Sequence, residues 1–273
     1  MMKTPLRYPG GKSRATKKIA QFLPDLTKYK SYREPFLGGG SVALYISQTY
    51  PHLDIWVSDL YKPLIEFWQT LASQGDELYN ELIQLKRKHY EPASAKMLFI
   101  EAKEYLTRET STLFDRSVSF YIINKCSFSG LTESSSFSPQ ASDNNFTVRG
   151  LERLKYYRDI IETWKITHST YEELYTDSMD TFTYLDPPYE IKPKLYGKRG
   201  EMHKGFDHDK FFEDCDRHCS HMMVSYNSSQ LIKDRFKDWD AQEYDHTYTM
   251  RSVGDYMKNQ QERKELLLLN YGI

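Results

Sequence analysis

Asp186-Pro187-Pro188-Tyr189 gathers a carboxylate, two prolines and an aromatic ring into four consecutive positions. Each proline fixes φ and removes a backbone donor, so the turn is stiff and its carbonyls lack a local partner. Asp186 and the Pro187 carbonyl then offer two acceptors beside the flat ring of Tyr189. An exocyclic amine on a planar base has two N–H donors and a π face, and the turn suits such a group. The apolar run Phe182-Thr183-Tyr184-Leu185 just before it reads as a buried parallel strand. The tetrapeptide therefore falls at the carboxyl end of a strand, where open α/β sheets bind ligands.

A second constellation lies near the amino terminus. Glu34-Pro35-Phe36-Leu37-Gly38-Gly39-Gly40 ends one strand and opens a helix, and a second strand closes at Asp59. A carboxylate about 20 residues beyond such glycines takes ribose hydroxyls in nucleotide-binding β-α-β units. The alternative for Asp59 is a cap on the helix that follows. Ala43 stands where a GxGxxG motif has its third glycine, so a pyrophosphate cradle is not expected. Pro9-Gly10-Gly11-Lys12-Ser13 imitates a P-loop, but Leu6 occupies the position of that motif's first glycine. What remains is a turn presenting Tyr8 and Lys12.

Basic side chains follow the turn. Lys192, Lys194, Lys198, Arg199 and Lys204 fall in one Gly- and Tyr-containing stretch, suited to a phosphate backbone or to plain solvation. Lys86-Arg87-Lys88 is equally consistent with a solvated helix face. Cys215, His218, Cys219 and His221 are close in sequence. They lack paired CxxC-like spacing, so one buried helix face is expected there and no metal.

The positioning elements read as an α/β sheet interrupted by helices. Strands are expected at 31–36, 54–58, 165–168, 182–185, 221–226 and 265–270, with helices at 41–48 and 211–219. From Pro63 to about Asp115 the apolar positions recur at helical spacing. Residues 124–150 are Ser-, Asn- and Phe-rich with Gly130 and Pro139 as breakers, and read as an irregular hairpin or long loop. Domain boundaries follow: 1–62 with 156–273 as one domain, 63–155 as an insertion.

With 273 residues the chain can bury a full core. Its net charge of −1 excludes a globally basic nucleic-acid binder, so polyanion contacts must come from local patches. No apolar run reaches bilayer length. No apolar segment follows Lys3 and Arg7 as in a secretory signal, and the 3 cysteines are irregularly spaced. A cytoplasmic protein is expected, with no membrane partner.

Taken in order, Leu6–Lys12, Glu34–Gly40, Ser58-Asp59 and Asp186–Tyr189 resemble the Dam-like class of N6-adenine-specific DNA methyltransferases, with Lys264–Tyr271 similar to that family's last strand. The resemblance implies a Rossmann-like class I methyltransferase sheet with an inserted, mainly helical target-recognition domain. It implies S-adenosylmethionine as cofactor, double-stranded DNA as partner, a bacterial or phage gene, and a monomer or weak dimer. Asp186, Pro187, Pro188 and Tyr189 are then the catalytic turn. Tyr8, Lys12, Phe36, Gly38, Gly40, Asp59, Tyr171 and Asp186 border the cofactor. Lys192, Lys194, Lys198 and Arg199 meet phosphates, while Asn124, Glu133 and Arg149 approach the bases. Glu133 stands where relatives that methylate GATC carry a guanine-reading Arg, so another target sequence is expected. Two alternatives stay open: a silent DNA-binding regulator on this fold, or an RNA or protein-glutamine methyltransferase. Asp186 argues against the last, since glutamine methyltransferases carry Asn there.

Overall fold

A computed structural model describes residues 1–130, 135–189, 205–245 and 264–272. Among the described residues seven strands form one sheet: β1 (Ser31–Glu34), β2 (Asp54–Asp59), β3 (Lys165–His168), β4 (Thr181–Leu185), β5 (His221–Asn227), β6 (Asp240–Asp245) and β7 (Lys264–Leu269). Their order is β3-β2-β1-β4-β5-β7-β6. The first five pair in parallel, and β7 runs antiparallel to both β5 and β6. Beyond the short α1 (Thr16–Ile19), the helix α2 (Ser41–Thr49) links β1 to β2. The expected Rossmann-like sheet is present.

Chain order places a switch point in the sheet. From β1 the chain steps out to β2 and β3, then returns to β4 on the other side of β1. The carboxyl ends of β1 and β4 therefore diverge side by side, and a crevice opens between their loops. Register puts Ser31 beside Thr181 and Arg33 beside Thr183, so Glu34 and Asp186 leave the sheet at one end.

Between β2 and β3 run α3 (Lys62–Ser73), α4 (Gly75–Lys88), α5 (Pro92–Thr107), α6 (Leu113–Cys126), α7 (Pro139–Asn145), α8 (Val148–Glu152) and α9 (Arg158–Ile161). A reciprocal capping box between Thr112 and Asp115 starts α6. Of the 124–150 stretch, read as an irregular hairpin or long loop, an antiparallel bridge joins Ser127 to Phe137, whereas 139–145 and 148–150 are helical. Its polar residues act as helix starts: Ser138 accepts from the Ala141 N–H and Thr147 from the Gly150 N–H, and Pro139 opens α7. Those residue types mark caps as readily as loops.

Side chains alternate between the two faces of the sheet. Tyr32, Val57, Phe182, Tyr184, Met223 and Leu267 join one core that continues into the inserted helices through Phe67, Trp68, Phe120 and Leu151. On the other face, Leu185, Val224, Tyr226, Leu266 and Leu268 pack against α10 (His208–Arg217) and α11 (Gln230–Arg235). The edge strand β6 was not expected. Its sequence Asp-Ala-Gln-Glu-Tyr-Asp is mostly exposed and gives little apolar alternation. Among the described residues no helix is long and apolar enough to cross a membrane.

Candidate active site

Asp186 leaves the end of β4 and is held from two sides. Lys12 Nζ lies 2.7 Å from Oδ1 and 2.8 Å from Oδ2. Ser225 on the neighbouring β5 donates to Oδ1 at 2.6 Å. Lys12 also donates to the Gly10 carbonyl at 3.1 Å, and its ammonium lies 4.8 Å from the centroid of the Tyr189 ring. Tyr189 is anchored in turn: its hydroxyl donates to Glu265 on β7, and its ring lies 6.0 Å from Tyr226. Carboxylate and ring each have an anchor of their own, Ser225 and Glu265, with Lys12 between them, and the Asp-Pro-Pro-Tyr turn presents both at the switch point.

The amino-terminal arm reaches this turn over the glycines. Gly38 and Gly40 adopt φ of 48° and 66°, the left-handed region that favours glycine. A side chain at Gly38 would meet the Tyr8 ring at 3.0 Å, and one at Gly40 would meet Trp68 at 2.8 Å. The glycines are therefore demanded by the protein's own packing, with Tyr8 seated on the turn. Asp59 closes the unit. Its Oδ2 accepts from the Gly38 N–H and its Oδ1 from the Tyr61 N–H, both at 2.9 Å. Burial lifts the Asp59 carboxyl above its usual range, and the two N–H groups oppose the shift. Asp59 is not the cap of α3, whose N-cap is Tyr61.

Phe36 begins an aromatic wall beside these groups. It stacks on Tyr171 at 5.6 Å and meets Phe206 and Phe211 edge-on. Tyr171 is locked by its hydroxyl, which donates to Asp214, itself paired with Lys210. Glu34 lies beneath, only 2 % exposed, accepting from the Tyr32 hydroxyl. Burial pushes the Glu34 carboxyl up to about 8; the Tyr32 hydrogen bond opposes this and the charge of Asp186 adds to it.

The sequence-level assignments fall into three groups. Asp186, Pro187, Pro188, Tyr189, Tyr8, Lys12, Phe36, Gly38, Gly40, Asp59 and Tyr171 all lie around the carboxyl ends of β1, β2, β3 and β4. Within that group Lys12, expected against the cofactor, holds Asp186. Arg149 is exposed on α8. Asn124 does not face the bases. It is fully buried in α6, where Oδ1 accepts from the Arg7 N–H at 2.9 Å and Nδ2 donates to the Arg7 carbonyl at 2.6 Å. Its carboxamide is consumed inside the chain. Glu133, Lys192, Lys194, Lys198, Arg199 and Lys204 lie outside the described residues.

Ser225 and Glu265 carry no role in the sequence reading, although Glu265 lies in the Lys264–Tyr271 stretch of the resemblance. The available signal was a polar residue in an otherwise apolar core strand: Ser225 inside Met-Met-Val-Ser-Tyr, and Glu265 before Leu266–Leu269. The Cys and His residues near 215–221 have other partners. Cys215 contacts the Tyr175 hydroxyl, His218 pairs with Asp177, and His221 bonds to the Tyr29 hydroxyl. No metal-binding cluster occurs among the described residues.

Residues 8–250 match the family model of D12 class N6 adenine-specific DNA methyltransferases. The type II methyltransferase M.MjaIII of Methanocaldococcus jannaschii is 25% identical, over 97% of this chain and 98% of its own length. The type II methyltransferase M1.LlaDCHI of Lactococcus lactis subsp. cremoris is 20% identical, over 97% of this chain and 94% of its own. Among solved structures, the rRNA methyltransferase aviRa from Streptomyces viridochromogenes aligns at 11% identity with a TM-score of 0.32, covering 96% of this chain and 86% of that one.

Proposed function

The chain belongs to the D12 class of N6 adenine-specific DNA methyltransferases, and from that premise we propose how its own residues carry the reaction. S-adenosylmethionine is the methyl donor, duplex DNA is the substrate, and the target adenine is methylated against Asp186–Tyr189. One observation carries this reading: a fixed carboxylate and a fixed ring share one stiff turn at the switch point of the sheet.

The residues present fit the cofactor. The Asp59 oxygens accept from the Gly38 and Tyr61 N–H groups, one on each, and the carboxylate keeps acceptor capacity for a ribose hydroxyl. Phe36, braced by Tyr171, offers a flat apolar wall for a purine. When bound, S-adenosylmethionine supplies an electrophilic methyl on a sulfonium.

The rest is done by the chain. The lone pair of adenine N6 is delocalised into the ring, so the amine is a weak nucleophile. Asp186 and the Pro187 carbonyl accept its two hydrogens and free that lone pair to face the methyl; as the N–C bond forms the donor's C–S bond breaks to leave a neutral thioether, and the surplus N6 proton is released to solvent. Catalysis is orientation and electrostatic preorganisation. A base inside a duplex must be flipped out to reach the turn, at a cost of a few kcal/mol. Stacking on Tyr189 returns about 1–3 kcal/mol. The helices between β2 and β3 read the target sequence, with Arg149 at their surface and Glu133 in place of a guanine reader. Lys192 to Arg199 supply sequence-blind phosphate contacts. The three free cysteines suit a reducing cytoplasm, where the enzyme acts as a monomer or weak dimer.

The test is direct. Purified protein is incubated with methyl-labelled S-adenosylmethionine and duplex DNA, and the digested nucleosides are separated. N6-methyladenine is expected, falling about 10²–10³-fold with Asp186→Ala. Label on no nucleoside, or on RNA alone, would sink the reading.

A further inference from the structure

Lys12 touches both oxygens of Asp186, so it cannot distinguish them. Ser225 can. It is fully buried on β5 and reaches Oδ1 alone, at 2.6 Å. A serine has one hydrogen to give, and the charged carboxylate is its best and nearest acceptor; the Leu185 carbonyl is at 3.4 Å. The Tyr184 hydroxyl, also buried, lies 3.0 Å from Ser225 Oγ and must therefore be the donor in that pair. The result is a directed chain: Tyr184 O–H to Ser225 Oγ, then Ser225 O–H to Asp186 Oδ1. The register explains it, since Leu185 faces Val224 across the β4–β5 pair and the next residues on each strand meet at the strand end.

We infer that Ser225, backed by Tyr184, is a positioning residue for methyl transfer: it fixes the rotation of the Asp186 carboxylate so that Oδ2 is the oxygen offered to the substrate amine. The inference rests on the reading of Asp186 as the amine's acceptor. Without the serine, the carboxylate pivots about Lys12 and its acceptor lone pair leaves the line of transfer. Displacements of about 1 Å in such a site cost on the order of 10²-fold in rate.

A serine in a packed strand also has a structural role, and removing it leaves the Tyr184 hydroxyl buried without a partner. Three variants separate the roles: Ser225→Ala, the double variant Ser225→Ala with Tyr184→Phe, and Asp186→Ala. Each is measured for melting temperature, S-adenosylmethionine and duplex affinity, and single-turnover methyl transfer. The single Ser225→Ala variant is expected to melt lower and to transfer methyl about 10- to 100-fold more slowly, with both affinities within about twofold of wild type. The double variant, in which no hydroxyl is stranded, is expected to regain the melting temperature and not the rate. Recovery of the rate together with the melting temperature would overturn the inference, as would a wild-type rate in Ser225→Ala while Asp186→Ala is inactive. Normal transfer by Asp186→Ala would instead remove the reading on which the inference stands.

Discussion

Lys12 and Asp186 form an ion pair in which the lysine is the more deeply buried partner, 4% exposed against 20%. Among the described residues its ammonium also meets the Gly10 carbonyl and the face of Tyr189. The two halves of the pair are therefore unequal. Asp186→Ala strands a buried charge, a change that costs about 3–5 kcal/mol in a fully buried pair. Here the carboxylate reaches solvent, and a loss of about 3 kcal/mol is expected. Lys12→Met leaves an aspartate that keeps Ser225 and some water, and should cost nearer to ~1 kcal/mol. Urea unfolding of both variants checks the order. Lys12→Met proving the more damaging would mean that Asp186 is the dependent partner.

Asp59 ties the β2 end to the glycine turn, and its remaining lone pairs are assigned to the cofactor's ribose. Asp59→Ala should weaken S-adenosylmethionine binding by about 1.5–3 kcal/mol, the usual worth of hydrogen bonds to a charged group. Duplex affinity should barely change. Calorimetry giving wild-type cofactor affinity would confine Asp59 to bracing the turn.

Glu34 gives a pH signature. Its folded carboxyl is raised from 4.5 to about 8, chiefly by burial. Below pH 4.5 both folded and unfolded forms carry the proton and the residue adds no pH dependence. Between 4.5 and about 8 the unfolded chain ionises Glu34 while the folded chain does not, so rising pH favours unfolding. Above about 8 the slope ends. Wild-type stability should fall across that window by at most ~1.4 kcal/mol per pH unit from this group. Glu34→Gln should flatten the fall, because the amide can still accept from Tyr32 and never ionises. Denaturant midpoints from pH 5 to 9 measure it, and parallel wild-type and variant curves would assign the pH dependence elsewhere.

The parts legible in sequence were those with one dominant local cause. β4 is a short apolar run ended by two prolines, and α2 begins where glycines end a strand. Around them the residues of the turn and the glycine motif converge as their spacing suggests. What escaped was decided across the fold. The register of β4 on β5 brings Ser225 to Asp186, and nothing near either residue announces the other. Glu265 reaches Tyr189 from a strand that enters the sheet antiparallel, 76 residues away. β6 escaped because an edge strand needs only one apolar anchor, Tyr244. Asn124 was misread for a related reason: a polar residue in a Ser- and Asn-rich stretch looks available to a ligand until its backbone partners are known.

Those partners make Asn124 a clamp. Its carboxamide closes on both backbone groups of Arg7 and also donates to the Gly130 carbonyl at 3.2 Å. Arg7 Nη1 reaches the Ser127 carbonyl at 2.8 Å, and Gly130, at φ 71°, leaves no room for a side chain, since one would meet the Arg7 carbonyl at 2.5 Å. The arm that carries Lys12, five residues on, is thereby pinned to the end of α6. Asn124→Ala removes three hydrogen bonds and leaves their backbone partners under-satisfied. At about 1–3 kcal/mol for each group left buried and unpaired, with some water relief, a loss of about 3 kcal/mol is expected. Amide exchange at Arg7 should quicken beyond what that global loss explains, because the arm opens before the sheet does. Methyl transfer should fall even where the chain is still folded, since Lys12 no longer holds its place on Asp186. Gly130→Ala should act in the same direction by forcing Arg7 away. Wild-type exchange at Arg7 in the Asn124→Ala protein would show that the arm is held by its other contacts, the Arg7–Ser127 bond and the Tyr8 ring on Gly38 and Gly39 among them.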